Sequence, residues 1–221
     1  MIRLQKTNKP QVLVDHGDAW TQTLLQKRAA GQKATAAEKT RYRHPDIKNA
    51  LVAETHGKCA YCESKLRHIH HGDVEHMMPK SLELEKILQW ENLTLTCEIC
   101  NQNKSSADPN AENIIDPYAM EPMDHLMFVG PFIFDRGTPL GVATREILDL
   151  KRPELVERRI ERMEAIMSLV ATICRPDIPV AARRAIYRDM MLKEAAPSSP
   201  YSAMTRDLID SVRNRLPADV L

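Results

Sequence analysis

The sequence predicts an α+β fold that is mostly helical, with a small cysteine-clamped core between two helical regions. Three observations support this fold class. Seven glycines stand against 14 prolines, and Arg, Glu, Leu and Met are frequent, a composition that favours helix over sheet. Apolar residues make up 43% of the 221 residues and charged residues 28%, which is enough to bury a core. Two close cysteine pairs bracket a segment in which only short extended pieces are expected.

The first 58 residues are predicted to form a basic helical region, 1–58. Asp18 can cap a helix over 19–30. Thr35 and Glu38 match the capping-box pattern of a second helix. The region carries 11 Lys/Arg against 5 Asp/Glu, a net charge of +6. A third helix, expected at 46–56, leads the chain into the first cysteine pair.

The middle segment, 59–150, is predicted to be loop-rich. It carries 7 Lys/Arg against 15 Asp/Glu, a net charge of −8. An acidic segment between basic flanks fits a cation site that faces a polyanion, although such asymmetry also arises by chance. Short extended pieces are expected at 66–71, 74–78 and 128–134.

Residues 151–221 are predicted to form a C-terminal helical region within one compact unit. Pro153 can occupy the first turn of a helix whose apolar residues then recur every three or four positions. Further helices are expected at 181–194 and 202–215. No apolar stretch reaches the roughly 20 residues of a membrane-spanning helix, and no apolar signal core is present, so a cytoplasmic protein is expected.

Two CxxC pairs carry the strongest chemical signal. Cys59-Ala-Tyr-Cys62 and Cys97-Glu-Ile-Cys100 together supply four thiolates, the usual ligand shell of a structural zinc ion. Because a four-thiolate shell leaves no coordination position open, this zinc is expected to be structural. Free buried thiols are the alternative. The fifth cysteine, Cys174, is expected to pack on the apolar face of its helix.

Three further stretches follow a recognisable order. They are Gly72-Asp-Val-Glu-His-Met-Met-Pro-Lys-Ser81, Trp90-Glu-Asn-Leu93 and Asn101-Gln-Asn-Lys104. With the two CxxC pairs, this arrangement resembles the HNH (ββα-metal) nuclease family over 59–104. Together with Glu63 and Ile115-Asp-Pro117, it is similar to the PtuB-like HNH proteins of Septu and retron-type anti-phage systems, which are encoded beside an ABC-type ATPase.

The resemblance implies a metal-dependent endonuclease that acts on nucleic acid, most simply DNA, with an ABC-type ATPase as partner. Glu75 and Asn101 would hold a catalytic Mg²⁺ or Mn²⁺, since such hard ions prefer oxygen ligands. His76 would be the general base, because imidazole accepts a proton near neutral pH. Asn92 would brace the loop that presents His76. Lys104 could neutralise charge on the phosphate.

The motif also sets geometric conditions. Adjacent residues of a strand point to opposite faces, so the strand must end or bulge at Glu75 and His76, and Pro79 fits such an ending. Glu75 stands where the family commonly has Asp or His, which would displace the metal slightly. Asn101 could open a helix whose N-terminus faces the phosphate. Asp73 could supplement the metal ligands.

Other interpretations remain open. The histidines at 68, 70 and 71 could touch phosphate or form an accessory metal site, although a solvated strand is the simpler interpretation. The chain could be a zinc-stabilised adaptor or nucleic-acid-binding protein with no catalysis, but Glu75-His76 together with Asn101 argues against that. A self-contained nuclease without a partner is a third possibility.

Overall fold

The computed structural model describes residues 1–66 and 72–221. Helices dominate it, and the strands form two small antiparallel sheets, which confirms the predicted α+β class. The described helices and strands are α1 (Gln11–Ala29), α2 (Ala36–Lys39), α3 (Pro45–Glu54), β1 (Asp73–His76), β2 (Leu93–Thr96), α4 (Glu98–Lys104), β3 (Leu126–Val129), β4 (Phe132–Asp135), α5 (Pro139–Ile147), α6 (Pro153–Ile173), α7 (Val180–Asp189) and α8 (Ser202–Val212). None of these helices is both long enough and apolar enough to cross a membrane.

The N-terminal helices agree with the prediction except at one boundary. Helix α1 begins at Gln11, directly after Pro10, so the predicted start at residue 19 is wrong and Asp18 lies inside the helix. The helix extends toward the N-terminus because Leu13, which is fully buried, packs into the core from this first part. The capping box of Thr35 and Glu38 is present as predicted.

Strands β1 and β2 and helix α4 form a ββα unit. The two strands pair antiparallel with Glu75 opposite Thr94, and α4 packs against β1. Strand β1 ends at His76, as the sequence argument required. Helix α4 begins at Glu98, so the expectation that Asn101 opens a helix is wrong: Asn101 lies inside α4.

The second sheet is the hairpin β3–β4. Its turn contains Gly130 at a φ of 56°, a left-handed conformation that glycine adopts without strain. The extended piece expected at 128–134 is therefore two strands and their turn. The piece expected at 66–71 and the histidines at 68, 70 and 71 lie outside the described residues, apart from residue 66.

The C-terminal helices follow the prediction closely. Pro153 occupies the first turn of α6, and α7 continues beyond Asp189 as a wider π-helical turn over Met190–Glu194. The expected packing role of Cys174 is wrong, because α6 ends at Ile173 and the Cys174 side chain is exposed.

Two hydrophobic clusters hold the chain together. The larger cluster combines residues from the N-terminal helices, the ββα unit, the hairpin and the start of α8, so the predicted boundary between 58 and 59 falls inside it. The smaller cluster is built from α6, from the segment around Met190 and from α8 with the residues after it. Helix α8 also packs on β3, which ties the C-terminal region to the rest.

A buried carboxylate joins three distant parts of the chain. Glu63 pairs with the amino group of Met1 at 2.9 Å and with Lys58 at 3.2 Å, and it accepts hydrogen bonds from the backbone N–H and hydroxyl of Ser202. Burial raises the pKa of Glu63, but the two cations and Ser202 outweigh burial and lower it to about 2.

Candidate active site

The four cysteines of the CxxC pairs converge at one point. Their sulfur atoms all lie within 4.8 Å of one another, and the Sγ atoms of Cys62 and Cys97 are 3.8 Å apart. A tetrahedral zinc ion with Zn–S bonds of about 2.3 Å requires sulfur atoms about 3.8 Å apart. The cluster therefore fits a zinc ion, which Cys59, Cys62, Cys97 and Cys100 would hold.

Polar groups around the sulfur atoms support thiolate ligands. Arg152, a buried residue just before α6, places Nη2 at 3.7 Å from Cys100 Sγ and 3.9 Å from Cys97 Sγ. Ser64 Oγ lies 3.3 Å from Cys62 Sγ. A tetrathiolate zinc would carry a net charge of −2, so a buried guanidinium beside it would offset part of that charge.

A separate pocket borders the ββα unit, and none of the four cysteines lines it. Its volume is about 370 Å³, and its walls come from three segments: the turn before α3, strand β1 with the loop after it, and helix α4. The predicted residues Glu75, His76 and Asn101 all line it. The structure thus brings together the general base and both metal ligands that the resemblance implied.

Glu75 is held by a buried ion pair. Lys104 Nζ donates to Glu75 Oε1 at 2.9 Å and to the backbone oxygen of His76 at 3.0 Å. Burial raises the pKa of Glu75, while the ion pair with Lys104 opposes that shift. The Lys104 side chain is fully buried and its amine is paired with Glu75, so its predicted contact with a phosphate stays a prediction.

Asp73 and Asn101 form a second polar pair at the pocket. Asn101 Nδ2 donates to Asp73 Oδ2 at 3.1 Å, and Asp73 lies two residues before Glu75 on the same face of β1. Carboxylate oxygens of Asp73 and Glu75, together with the Asn101 amide oxygen, form an oxygen-only donor set that suits Mg²⁺ or Mn²⁺. Among the described residues, the cysteine cluster is the only place where three or more His, Cys, Asp or Glu side chains bring their ligand atoms close together. The donor set at the pocket therefore depends on the Asn101 amide as well as on carboxylates.

The ring of His76 has a defined orientation. Nε2 lies 3.0 Å from the carbonyl oxygen of Ile87, and a carbonyl only accepts, so Nε2 carries the proton of the neutral ring. Nδ1 is then the proton acceptor. Burial lowers the pKa of His76 to about 4; the charges of Lys80 and Lys104 act in the same direction and the bond to Ile87 opposes them. The imidazole is therefore neutral near pH 7.

Asn92 fastens the loop that follows His76. Its side-chain oxygen accepts from the backbone N–H of Met78 at 2.7 Å, and its amide nitrogen donates to the carbonyls of Met78 and Lys86 at 3.0 and 3.1 Å. The side chain touches neither metal donors nor the pocket directly. These bonds fit the predicted role of Asn92 in bracing the loop after His76, which stays a prediction.

The N-terminal region contributes Tyr42 and Arg43 to the pocket, which the sequence did not predict. The ring of Tyr42 meets the ring of His76 edge to face, with centroids 4.6 Å apart, and its hydroxyl accepts from Lys80 Nζ at 2.9 Å. Arg43 and Lys80 are exposed at the pocket. The sequence Arg41-Tyr-Arg43, an aromatic residue between two cations, was the available signal.

Comparisons with known proteins agree with this geometry. Residues 59–107 match the HNH endonuclease family. A Septu protein PtuB of Bacillus thuringiensis is 28% identical over 223 residues, covering 95% of this chain and 82% of that protein. A Septu protein PtuB of Bacillus mycoides (strain KBAB4) is 26% identical over 197 residues, covering 72% of this chain and 66% of that protein. The predicted HNH nuclease and the likeness to PtuB-like proteins are confirmed.

Proposed function

We propose that this chain is a metal-dependent endonuclease that hydrolyses phosphodiester bonds in DNA as the nuclease of a Septu-type anti-phage system. The observation that carries the proposal is one pocket that is lined both by a neutral imidazole, His76, and by residues with oxygen donors, Asp73, Glu75 and Asn101. A binding protein has no need of such a base beside such donors. The two PtuB relatives support the Septu assignment.

The residues divide the reaction between them. Nδ1 of His76 takes the proton of the attacking water as the oxygen adds to phosphorus. Arg43 and Lys80, both exposed at the pocket, place positive charge beside the phosphate oxygens. A divalent ion held by Asp73, Glu75 and Asn101 would stabilise negative charge on the phosphate and on the leaving oxygen. Lys104 keeps the Glu75 carboxylate in place.

Cleavage of nucleic acid by the purified protein tests this function. With Mg²⁺ or Mn²⁺, the parent should cut plasmid DNA, and His76→Ala should lower the rate by about 10²- to 10⁴-fold, the usual contribution of a general base. His16→Ala, at an exposed histidine outside the pocket, is the matched control and should cut at the parent rate. If His76→Ala also cuts at the parent rate with an unchanged melting temperature, the assigned role is wrong. A parallel RNA substrate decides between DNA and RNA.

The partner and the location belong to the same proposal. By resemblance, the chain works with an ABC-type ATPase that restrains or directs cleavage. The four cysteines fit a reducing cytoplasm, where thiols stay available for zinc. The gene for such an ATPase should lie beside the gene for this chain, and co-expression of the two should give a complex that elutes as one species from a sizing column. Separate elution at micromolar concentration would contradict the partnership but not the nuclease.

The alternative is a zinc-stabilised adaptor that binds nucleic acid without cutting it. It would bind DNA with the same affinity whether His76 is present or replaced, and no divalent ion would produce cleavage with or without the ATPase. The HNH family match argues against this alternative.

A further inference from the structure

A second groove opens from the active-site pocket toward the N-terminal helices. Its volume is about 730 Å³, and it shares Tyr42, Arg43 and Lys80 with the pocket. One wall is the end of α1 with the loop that follows it, and the other contains Leu84 and Ile87. Because three residues border both cavities, the groove continues the path of any polymer that enters the pocket on this side.

The groove is lined by positive charge. Besides Arg43 and Lys80, the cations Lys27, Arg28, Lys33 and Lys39 border it, and its described lining includes no acidic residue. Lys27 pairs with Glu38 at 2.6 Å, whereas Arg28, Lys33 and Lys39 are exposed and have no ion-pair partner among the residues that the structure describes.

The bottom of the groove is apolar. Leu24, Tyr42 and Ile87 are buried residues that border it beneath the cations. Cations at the rim over an apolar and aromatic base match a nucleic-acid strand, whose phosphates are charged and whose sugars and bases have apolar faces. A larger groove of about 870 Å³ beside the cysteine cluster has a mixed charge, because Glu98, Glu154 and Glu161 line it together with basic residues. The basic groove has no such acidic residues in its described lining.

We propose that this basic groove binds the sugar-phosphate backbone of the strand next to the phosphate that is cut. The proposal rests on the proposed nuclease function, and it assigns substrate binding to residues outside the HNH segment 59–107. Arg28, Lys33 and Lys39 contact phosphates of the same strand that lie on one side of the phosphate that is cut. Most of the affinity on this side then comes from charge rather than from base sequence.

The salt dependence of binding tests the groove directly. The probe is a fluorescent 20-nucleotide DNA, titrated without added divalent ion at several salt concentrations, with Arg28→Gln, Lys33→Gln and Lys39→Gln combined in one variant. Each lost phosphate contact reduces the slope of log K against log salt by about 0.7 to 0.9, so the slope should fall by about 2 to 3. Affinity at low salt should fall at least about tenfold.

A second triple variant removes the same amount of charge elsewhere. Arg188, Arg213 and Arg215 are exposed in the C-terminal region and do not border the groove, so their replacement by Gln should leave the slope unchanged. An unchanged slope in the groove variant, or an equal fall in both triple variants, would overturn the proposal. Should the groove triple variant melt early, Lys33→Gln alone should still lower the slope by about 0.7 to 0.9. A parent protein that binds but never cuts would refute the nuclease and leave the groove supported.

Discussion

The zinc cluster and the active-site pocket share helix α4 but are built in opposite ways. All four sulfur atoms of the cysteine cluster come from two CxxC pairs, so they are of one chemical type and would fill the ligand shell of a zinc ion. The pocket is open, and its polar groups come from three separate segments that include Tyr42 and Arg43 far upstream. The cluster thus needs only two CxxC turns to meet at the start of α4, whereas the pocket exists only when a third segment, at 42–43, has packed against the ββα unit.

One atom links the two sites. Cys97 Sγ accepts a hydrogen bond from the backbone N–H of Cys100 at 3.4 Å and so caps α4, the helix that carries Asn101 and Lys104. Loss of the cluster should therefore damage the pocket, while changes in the pocket should spare the cluster. Cys97→Ser and Asn92→Ala test this one-way dependence from its two ends.

The largest effect is expected for Cys97→Ser. It removes a zinc ligand and the cap of α4, and because metal binding contributes folding free energy we expect a loss of about 5 kcal/mol or more. The melting temperature should fall by more than about 10 °C, and zinc content and cleavage should fall together. Cys174→Ser, at an exposed cysteine, is the control. Full zinc content in Cys97→Ser would contradict the four-ligand shell.

A smaller but selective effect is expected for Asn92→Ala. The change leaves the buried N–H and carbonyl of Met78 without their partner, which costs about 2 to 4 kcal/mol. Cleavage should fall by about 10- to 100-fold because the loop after His76 loosens, yet zinc content should stay at the parent level. Zinc loss in this variant would show that the dependence runs in both directions.

Arg152→Gln tests the cluster from its outer side. Outer-shell partners of a metal site typically contribute 10- to 100-fold in metal affinity, so zinc should transfer to a chelator about 10 times faster or more. Arg158→Gln, at an exposed arginine of α6, the helix that Arg152 precedes, is the matched control. Equal transfer rates in the parent and Arg152→Gln would remove Arg152 from the zinc site.

The smallest effect is expected for Tyr42→Phe. The ring and its contact with His76 remain, and only the hydrogen bond from Lys80 is lost, which costs about 1 kcal/mol. Cleavage should fall by less than about tenfold, whereas Tyr42→Ala should lower it further by freeing the His76 ring. If Tyr42→Phe and Tyr42→Ala both cut at the parent rate, the N-terminal region does not position the base.

Sequence reasoning succeeded where the signal is local. The CxxC spacing located the zinc cluster, the order of Glu75, His76 and Asn101 located the pocket, and the Thr35–Glu38 pair located a helix start. It failed where tertiary packing decides. Helix α1 extends past Asp18 because Leu13 is buried, which no cap residue reveals.

The roles of single side chains were harder to predict than their positions. Lys104 has the expected spacing from Cys100, but spacing alone does not predict that its amine is buried and paired with Glu75. Likewise, Tyr42 and His76 lie far apart in the sequence, so their contact depends on how α3 and the ββα unit pack. Long-range contacts of this kind leave no periodic pattern in the sequence.

The fixed ring of His76 also determines what kind of inhibitor the pocket could accept. Its Nε2 atom is committed to the Ile87 carbonyl, so the lone pair on Nδ1 is the remaining hydrogen-bonding group of the ring. A blocking molecule would therefore present a hydroxyl or an N–H to the ring and an anionic group to Arg43 and Lys80. A hydroxyl-bearing phosphonate meets both requirements, whereas its methyl ether should bind more weakly.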